Sequence, residues 1–268
     1  NAHKIGEAPV IFSKEMANSS CIQLRKAMNN KGYFQAEVDT TMTVKDRKVN
    51  LEYSIVARDP YYIGQYVANF SHPELQSIAN NPRYTLIKTN TRFDSDLLNQ
   101  ERQRVASAMR RRGYFYFDAE YLRFTADSTR LKNNIDVQMD FQDFVHTLSQ
   151  EDKDKLFRKY SISQVHFHID YDPSLIPDDE EMHSTAQRGY VFTWVGKKLL
   201  RDNMLIRNCP IHPGTLYNER NVQKTYERLN QLAPVKFVDI SFEPISNNEL
   251  DCHIVLSRTK LNSVSVEV

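Results

Sequence analysis

Two stretches of the chain share one length and one pattern, FSKEMANSSCIQLRKAMNNKGYF at residues 12–34 and FDSDLLNQERQRVASAMRRRGYF at residues 93–115. They align without a gap. Each begins with Phe, continues through an amphipathic segment and ends in Gly-Tyr-Phe. A repeat at fixed spacing indicates one supersecondary unit that is used more than once, and this spacing is that of a small domain. The sequence therefore predicts tandem modules.

The amphipathic segment predicts a helix in each copy. In the first copy we expect the helix over residues 19–31, with a serine cap at its start, and in the second copy over residues 95–112. Gly32 and Gly113 follow the last turn, where a left-handed residue commonly ends a helix. Period-two alternation of apolar residues then predicts a strand hairpin in each copy. In the second copy its strands are expected over residues 114–124 and 134–141.

The elements around the repeat complete the module. A strand over residues 61–70 and a short helix over residues 73–80 are predicted before the second copy, whereas the first copy has no predicted opening strand. A third, degenerate copy begins at Tyr217 and carries residues 233–237 in place of Gly-Tyr-Phe. From the rules for strand connections we predict an α+β fold of tandem β-α-α-β-β modules. Each module is expected to be a three-stranded mixed sheet with two helices on one face.

Composition narrows the class of protein. The chain has 268 residues, of which 40% are hydrophobic and 26% charged, and its net charge is +1. These values are those of a globular protein, and the balanced charge disfavours a nucleic-acid partner. The three cysteines Cys21, Cys209 and Cys252 are scattered, which favours neither a disulfide framework nor a thiolate zinc site. No Ser-His-Asp set, P-loop or dinucleotide fingerprint is present, so the sequence predicts no catalytic residue, cofactor or metal.

The element order resembles that of the polypeptide-transport-associated (POTRA) domain. The specific matches are Lys31-Gly32-Tyr33-Phe34, Arg112-Gly113-Tyr114-Phe115, the sequence PGTLYN at residues 213–218 and the alternation of residues 263–268. Tandem POTRA domains form the periplasmic arm of outer-membrane barrel assembly factors of the BamA and TamA type. The resemblance implies a first domain over residues 1–58 that lacks its opening strand and a complete domain over 59–147. It also implies a third domain over 156–259 with an insertion at about 172–207, and the start of a transmembrane barrel strand over 260–268.

The resemblance also implies a function. A chain of this family is not expected to be an enzyme. It is expected to bind unfolded outer-membrane polypeptides and partner proteins at the periplasmic face of the outer membrane. Binding would occur by strand addition to exposed sheet edges, because main-chain hydrogen bonds tolerate many sequences. The full-length protein would carry its own C-terminal barrel. The edge-strand residues implied are Gln35, Glu37, Asp39, Phe117, Ala119, Tyr121, Val235, Phe237 and Asp239.

Two alternatives remain open from the sequence. His166, His168 and Asp170 alternate along a predicted strand, so that their side chains share one face and could together hold a metal in a metal-dependent hydrolase. The same pattern is expected of the solvent face of a half-buried strand. The other alternative is a surface protein-interaction module without a barrel.

Overall fold

A computed structural model describes residues 12–128, 133–169, 182–195, 198, 200–233 and 235–258. The chain divides into two compact units. The first unit comprises Asn1–Gln103 and Leu122–Phe141, and the second comprises Arg104–Tyr121 and Gln142–Val268. This division does not follow the sequence repeat, and the three predicted domains over residues 1–58, 59–147 and 156–259 remain predictions. Among the described helices, none is both long and apolar enough to cross a membrane.

Seven α-helices and ten strands are found in the described residues. The helices are α1 Lys14–Asn30, α2 Pro73–Ala79, α3 Ser95–Arg110, α4 Asp143–Thr147, α5 Gln150–Leu156, α6 Asp202–Asn208 and α7 Glu219–Asn230. The first five strands are β1 Glu37–Lys45, β2 Lys48–Val56, β3 Tyr62–Ala68, β4 Leu122–Asp127 and β5 Asn134–Phe141. The others are β6 Ser161–Ile169, β7 Met182–Gln187, β8 Tyr190–Val195, β9 Val235–Pro244 and β10 Glu249–Arg258.

The first compact unit contains two sheets. Strands β1 and β2 form an antiparallel hairpin whose turn residues Asp46 and Arg47 have φ of 51° and 60°. Strands β3, β4 and β5 form the predicted three-stranded mixed sheet, in the order β3-β5-β4. β5 pairs in parallel with β3 and antiparallel with β4. The core beside this sheet comprises Ile63, Ile87, Phe93, Leu98, Ile135 and Val137.

The second compact unit contains a five-stranded mixed sheet in the order β7-β8-β6-β10-β9. Strand β6 is central and runs parallel to both β8 and β10. Three of these strands, β6, β10 and β9, match the predicted module. The other two come from the predicted insertion, part of which (residues 182–195) adds a hairpin to the edge of β6. Residues 172–181, 196, 197 and 199 of the predicted insertion and the predicted barrel strand over 260–268 lie outside the described residues.

Two predicted element bounds are wrong. Helix α1 begins at Lys14 rather than near residue 19, because the hydroxyl of Ser13 accepts a hydrogen bond from the Met16 amide and caps the helix earlier. In the second copy, the strand predicted over residues 114–124 begins only at Leu122. Residues 114–121 instead form turns and a 3-10 helix, Ala119–Tyr121.

The repeated Gly-Tyr-Phe makes the same joint in both copies. In the first compact unit the Gly32 carbonyl accepts a hydrogen bond from the Tyr61 amide at 2.8 Å, and the Tyr61 carbonyl accepts one from Phe93 at 2.9 Å. The ring of Phe34 packs on the rings of Tyr61 and Phe93, and the ring centroids are 5.2 Å apart in each pair. Gly32 has φ of +87°, so this turn requires glycine's freedom.

The second joint repeats this geometry inside the second compact unit. The Gly113 carbonyl accepts from the Tyr160 amide at 2.9 Å, and the Tyr160 carbonyl accepts from Tyr217 at 2.8 Å. Phe115 packs edge-on against Tyr217, with centroids 5.0 Å apart. In both joints, the glycine after one repeated helix thus binds the residue that precedes the first strand of the following module. That residue in turn binds the first residue of the following copy of the repeat. This shared contact explains why Gly-Tyr-Phe recurs.

Candidate polypeptide-binding edges

Strand β9 lies at one edge of the five-stranded sheet. Within the described residues it pairs with β10 alone, so the main-chain groups on its other side are available. Val235 and Val238 are buried, whereas Phe237 is 54% exposed and Asp239 is exposed. The structure therefore places all three of the predicted residues Val235, Phe237 and Asp239 on an edge strand.

A groove runs beside the β9 edge, between this strand and helix α7. It has a volume of about 640 Å³. Its residues are Val222, Gln223, Tyr226, Glu227, Val238, Asp239 and Ile240. Valine and isoleucine side chains form the apolar part, and Gln223, Glu227 and Asp239 supply a polar rim. Tyr226 is 51% exposed, so an aromatic ring on α7 is available to a chain lying along β9.

Helix α7 is held beside β9 at its N-terminal end. The Asn218 side chain caps the helix by accepting a hydrogen bond from the Arg220 amide. The carboxylate of Glu219, in the first turn, accepts a 2.6 Å charged hydrogen bond from Arg110 and another from the Ser107 hydroxyl. Both members of the ion pair are largely buried. A carboxylate in the first turn also complements the helix dipole, so α7 forms a fixed wall of the groove.

The predicted edge residues of the second copy lie elsewhere than expected. Phe117 and Ala119 are buried, and Tyr121 ends the 3-10 helix before β4. Consecutive aromatic residues resemble a strand in sequence, but here Phe117 packs against Phe157 with ring centroids 6.2 Å apart. Burial, followed by the charge of Asp118, raises the pKa of Tyr121. Phe117 and Ala119 form part of a core, and the edge strand itself is β4, which in the described part of the chain pairs only with β5.

The predicted residues of the first copy lie on or beside β1. Gln35 precedes the strand, and its side-chain amide donates a hydrogen bond to the Tyr61 hydroxyl at 3.3 Å. Glu37 forms an exposed ion pair with Arg58 at 2.9 Å. Asp39 is exposed on the strand. Over the described residues, β1 pairs only with β2, so this hairpin also presents a free edge.

His166 and His168, the histidines predicted as possible metal ligands, lie on β6 beside His253 of β10, so that three histidine side chains form one cluster across two strands. His168 Nε2 lies 3.1 Å from Nδ1 of His253 on β10, and its Nδ1 lies 2.9 Å from the Thr193 hydroxyl. The ring of His166 stacks on that of His253, with centroids 4.7 Å apart. In the described part of the chain no group of three His, Cys, Asp or Glu residues is arranged to hold a metal, and Asp170 lies outside it.

The three clustered histidines lie near two carboxylates and are partly buried. Burial lowers the pKa of His168, and the neighbouring His253 and His166 lower it further. Asp251 Oδ2 lies 3.4 Å from His166 Nε2, and Glu243 Oε2 lies 3.6 Å from His253 Nε2. His168 therefore lies beside two histidines that each have a carboxylate neighbour.

Sequence reasoning missed the helical side of the groove and the partner of His168. The apolar and aromatic residues Val222 and Tyr226, one helical turn apart, are the signal that could have indicated a second wall. His253 alternates with Ile254 on β10, which indicates a solvent-side position. Its approach to His168 depends on parallel pairing of β6 and β10, which sequence spacing does not specify.

No protein-family model and no curated protein matches the sequence. Solved structures do match. Haemophilus influenzae BamA POTRA3-5 has a TM-score of 0.51 at 15% sequence identity, over 92% of this chain and 82% of that one. POTRA1-3 of the periplasmic domain of Omp85 from Anabaena has a TM-score of 0.34 at 12% identity, over 91% and 82%. BamA from Haemophilus ducreyi lacking POTRA domains 1-3 has a TM-score of 0.44 at 12% identity, over 74% and 30%. The first of these likenesses shows the fold, and the predicted α+β fold class is confirmed.

Proposed function

We propose that this chain, which has the fold of tandem POTRA domains, is the polypeptide-binding arm of an outer-membrane barrel assembly or translocation protein. It would act at the periplasmic face of the outer membrane, without enzymatic activity. The likeness of the fold to BamA POTRA3-5 supports the proposal. The observation that carries it is the free edge of β9 beside the groove of α7.

The mechanism is strand addition. Every second residue of an edge strand directs its N–H and C=O groups outward, so an incoming extended chain forms a new ladder with β9. Alternate side chains of that chain point to the helix side of the sheet, where the groove presents Val222 and Tyr226. Backbone pairing would supply sequence-tolerant affinity, and the groove would favour apolar residues at every second position.

The expected partners follow from this mechanism. Transmembrane barrel strands alternate apolar and polar residues with a period of two, which is the pattern that an edge with a one-sided apolar groove accepts. Unfolded outer-membrane polypeptides are therefore the proposed clients. Periplasmic or outer-membrane partner proteins and a C-terminal barrel of the same full-length protein are further proposed partners, and nucleic acid is not.

A peptide-binding assay tests the mechanism. The probe is a fluorescent synthetic peptide of ten residues that alternates apolar and polar side chains, titrated with the protein and followed by anisotropy. We expect Tyr226→Ala to weaken binding about fivefold to thirtyfold, since removing an aromatic anchor typically costs about 1–2 kcal/mol. Tyr84→Ala is the matched control, because Tyr84 is similarly exposed but lies in the other compact unit.

A second peptide separates strand addition from simple apolar contact. It has the same side chains but carries N-methyl groups on alternate residues, which remove the donors needed for a ladder. We expect this peptide not to bind. Equal affinity of the methylated and unmethylated peptides would exclude strand addition, and equal effects of the two tyrosine substitutions would exclude the α7 groove.

A further inference from the structure

Strand β7 is a second free edge of the five-stranded sheet, contributed by the inserted hairpin. Its six residues, Met182–Gln187, are all exposed. Over the described residues β7 pairs only with β8, and the register of this pairing is continuous from Met182 to Gln187. The edge therefore presents an unbroken row of main-chain groups.

On the other edge strands that the structure describes, charge, proline, irregular register or a covering segment limits where another strand can pair. On β9 these features lie at the two ends, with Lys236 and a register irregularity at the start and Pro244 at the finish, so they leave the middle of the strand open. β4 contains Arg123 and Asp127, and β1 and β2 contain several charged residues. The outer edge of β3 is covered by residues 90 and 91, which form two 2.8 Å hydrogen bonds with Ile63. Charge, proline, bulges and covering loops are the usual protections of a sheet edge.

In the described part of the chain, β7 has none of these protections. Its sequence, MHSTAQ, contains no charged residue and no proline. An edge strand without such protections favours pairing with another strand. Because β7 is uncharged, a strand of the same sequence can pair with it without like-charge repulsion.

The hairpin turn fixes which groups of β7 point outward. Arg188 and Gly189 have φ of 52° and 80°, as in a type I′ turn, and join the directly opposed residues Gln187 and Tyr190. In such a two-residue hairpin the flanking pair exchanges hydrogen bonds. Hydrogen-bonded and outward-facing positions alternate from there along an antiparallel strand. The outward donors and acceptors of β7 therefore belong to Met182, Ser184 and Ala186.

We propose that this edge pairs with β7 of a second copy of the chain, in antiparallel register about a two-fold axis at Ser184. The outward positions then match: Ser184 faces Ser184 of the second copy, and Met182 faces its Ala186. Between them His183 faces Thr185. The two sheets become one continuous ten-stranded sheet. At six residues the contact is in the size range of weak, transient interfaces, so association depends on protein concentration.

Cysteine trapping tests the register. Opposed residues of a hydrogen-bonded antiparallel pair have Cα atoms about 5.5 Å apart, within the range that a disulfide spans. Ser184→Cys should therefore form a disulfide-linked dimer under mild oxidation, and an equimolar mixture of Met182→Cys and Ala186→Cys should form a mixed dimer. The background carries Cys21→Ser, because Cys209 and Cys252 are buried and burial raises the pKa of both thiols.

Ala186→Cys alone is the matched control. It is equally exposed and outward-facing, but in this register two copies of residue 186 lie about 13 Å apart along the strands. It should therefore remain monomeric. Dimerisation of Ala186→Cys at the same rate as Ser184→Cys would indicate random collision and overturn the proposal.

A second variant tests the edge itself. Ala186→Pro removes an outward donor and leaves the ladder to β8 intact, since proline is tolerated on edge strands. Added to Ser184→Cys, it should abolish the trapped dimer and the concentration dependence of the sedimentation coefficient. An unchanged fluorescence spectrum of the single Trp194, on the neighbouring strand β8, verifies the fold. Persistent trapping in this double variant, or a monomer at all concentrations in the parent protein, would also overturn the proposal.

Discussion

Substituting the two repeated glycines by alanine should cost different amounts of stability, although both occupy the same position of one motif. Gly32 and Gly113 have φ of +87° and +102°. In each, an alanine would be held in a left-handed conformation at a cost of about 1–2 kcal/mol, partly offset by the lower entropy of its unfolded chain. Conformation alone therefore predicts a loss of about 1 kcal/mol at either site.

Close approach distinguishes the two sites. A Cβ at Gly32 would lie 2.8 Å from the main-chain oxygen of Phe93, closer than real Cβ contacts, so the backbone must move. At Gly113 the nearest atom would be the Lys159 Cβ at 3.3 Å, which a small shift accommodates. Movement at Gly32 strains the two hydrogen bonds of Tyr61, each contributing about 1 kcal/mol. We expect Gly32→Ala to cost about 3 kcal/mol and Gly113→Ala about 1 kcal/mol.

Amide hydrogen exchange measures this difference at the joints. The amides of Tyr61 and Tyr160 donate to the carbonyls of Gly32 and Gly113 and report the two sites separately. A difference of 2 kcal/mol corresponds to about thirtyfold in protection. Urea unfolding supplies the global values. If Gly113→Ala lowers protection at Tyr160 as much as Gly32→Ala lowers it at Tyr61, close approach does not decide the cost and the reasoning is refuted.

Three further substitutions test the packing and the titration. Glu219→Ala leaves the largely buried Arg110 guanidinium without its nearest carboxylate and should cost about 3 kcal/mol in urea unfolding, whereas a double variant that also replaces Arg110 by Met should recover part of the loss. Glu101→Ala should cost about 2 kcal/mol, because this buried carboxylate accepts hydrogen bonds from the Thr85 hydroxyl at 2.8 Å and from the Leu86 amide at 2.9 Å. The Thr85→Val variant, which loses the first of these bonds and keeps the second, should lose less. The pKa of His168 is lowered in the folded state, so the unfolded chain binds the proton more readily and stability should fall as pH drops below about 6.5. This slope should flatten in His168→Gln, and a slope that is unchanged would contradict the assignment.

Most of the regular elements could be predicted from local patterns. The glycine stops, the amphipathic helices α3 and α7 and the strands β5 and β10 depend on residues close together in sequence. The start of α1 was missed because three serines, including Ser13, each provide a hydroxyl that can cap a helix. Burial of Phe117 was missed because a run of aromatic residues has the same composition in a strand and in a core loop.

Pairing between distant elements could not be predicted in the same way. β7 has no alternation of apolar and polar residues, so no periodic pattern in the sequence indicates that it joins the five-stranded sheet. The predicted edge residues Val235, Phe237 and Asp239 lie on an edge strand because the hairpin order was correct. The groove beside them depends on where α7 packs, which Ser107, Arg110 and Glu219 decide through contacts more than one hundred residues apart along the chain.

The parallel pairing of β6 with β10 has a consequence for the order in which the protein folds. Ser161 pairs with Glu249, so the centre of the five-stranded sheet cannot close until the chain is present as far as β10. Helices and hairpins, whose contacts are local, form faster than such long-range pairs. Until β6 docks, the inner edge of β10 is exposed and open to another strand. During synthesis, this chain is therefore most open to wrong strand pairing in the interval between formation of the β9-β10 hairpin and its pairing with β6.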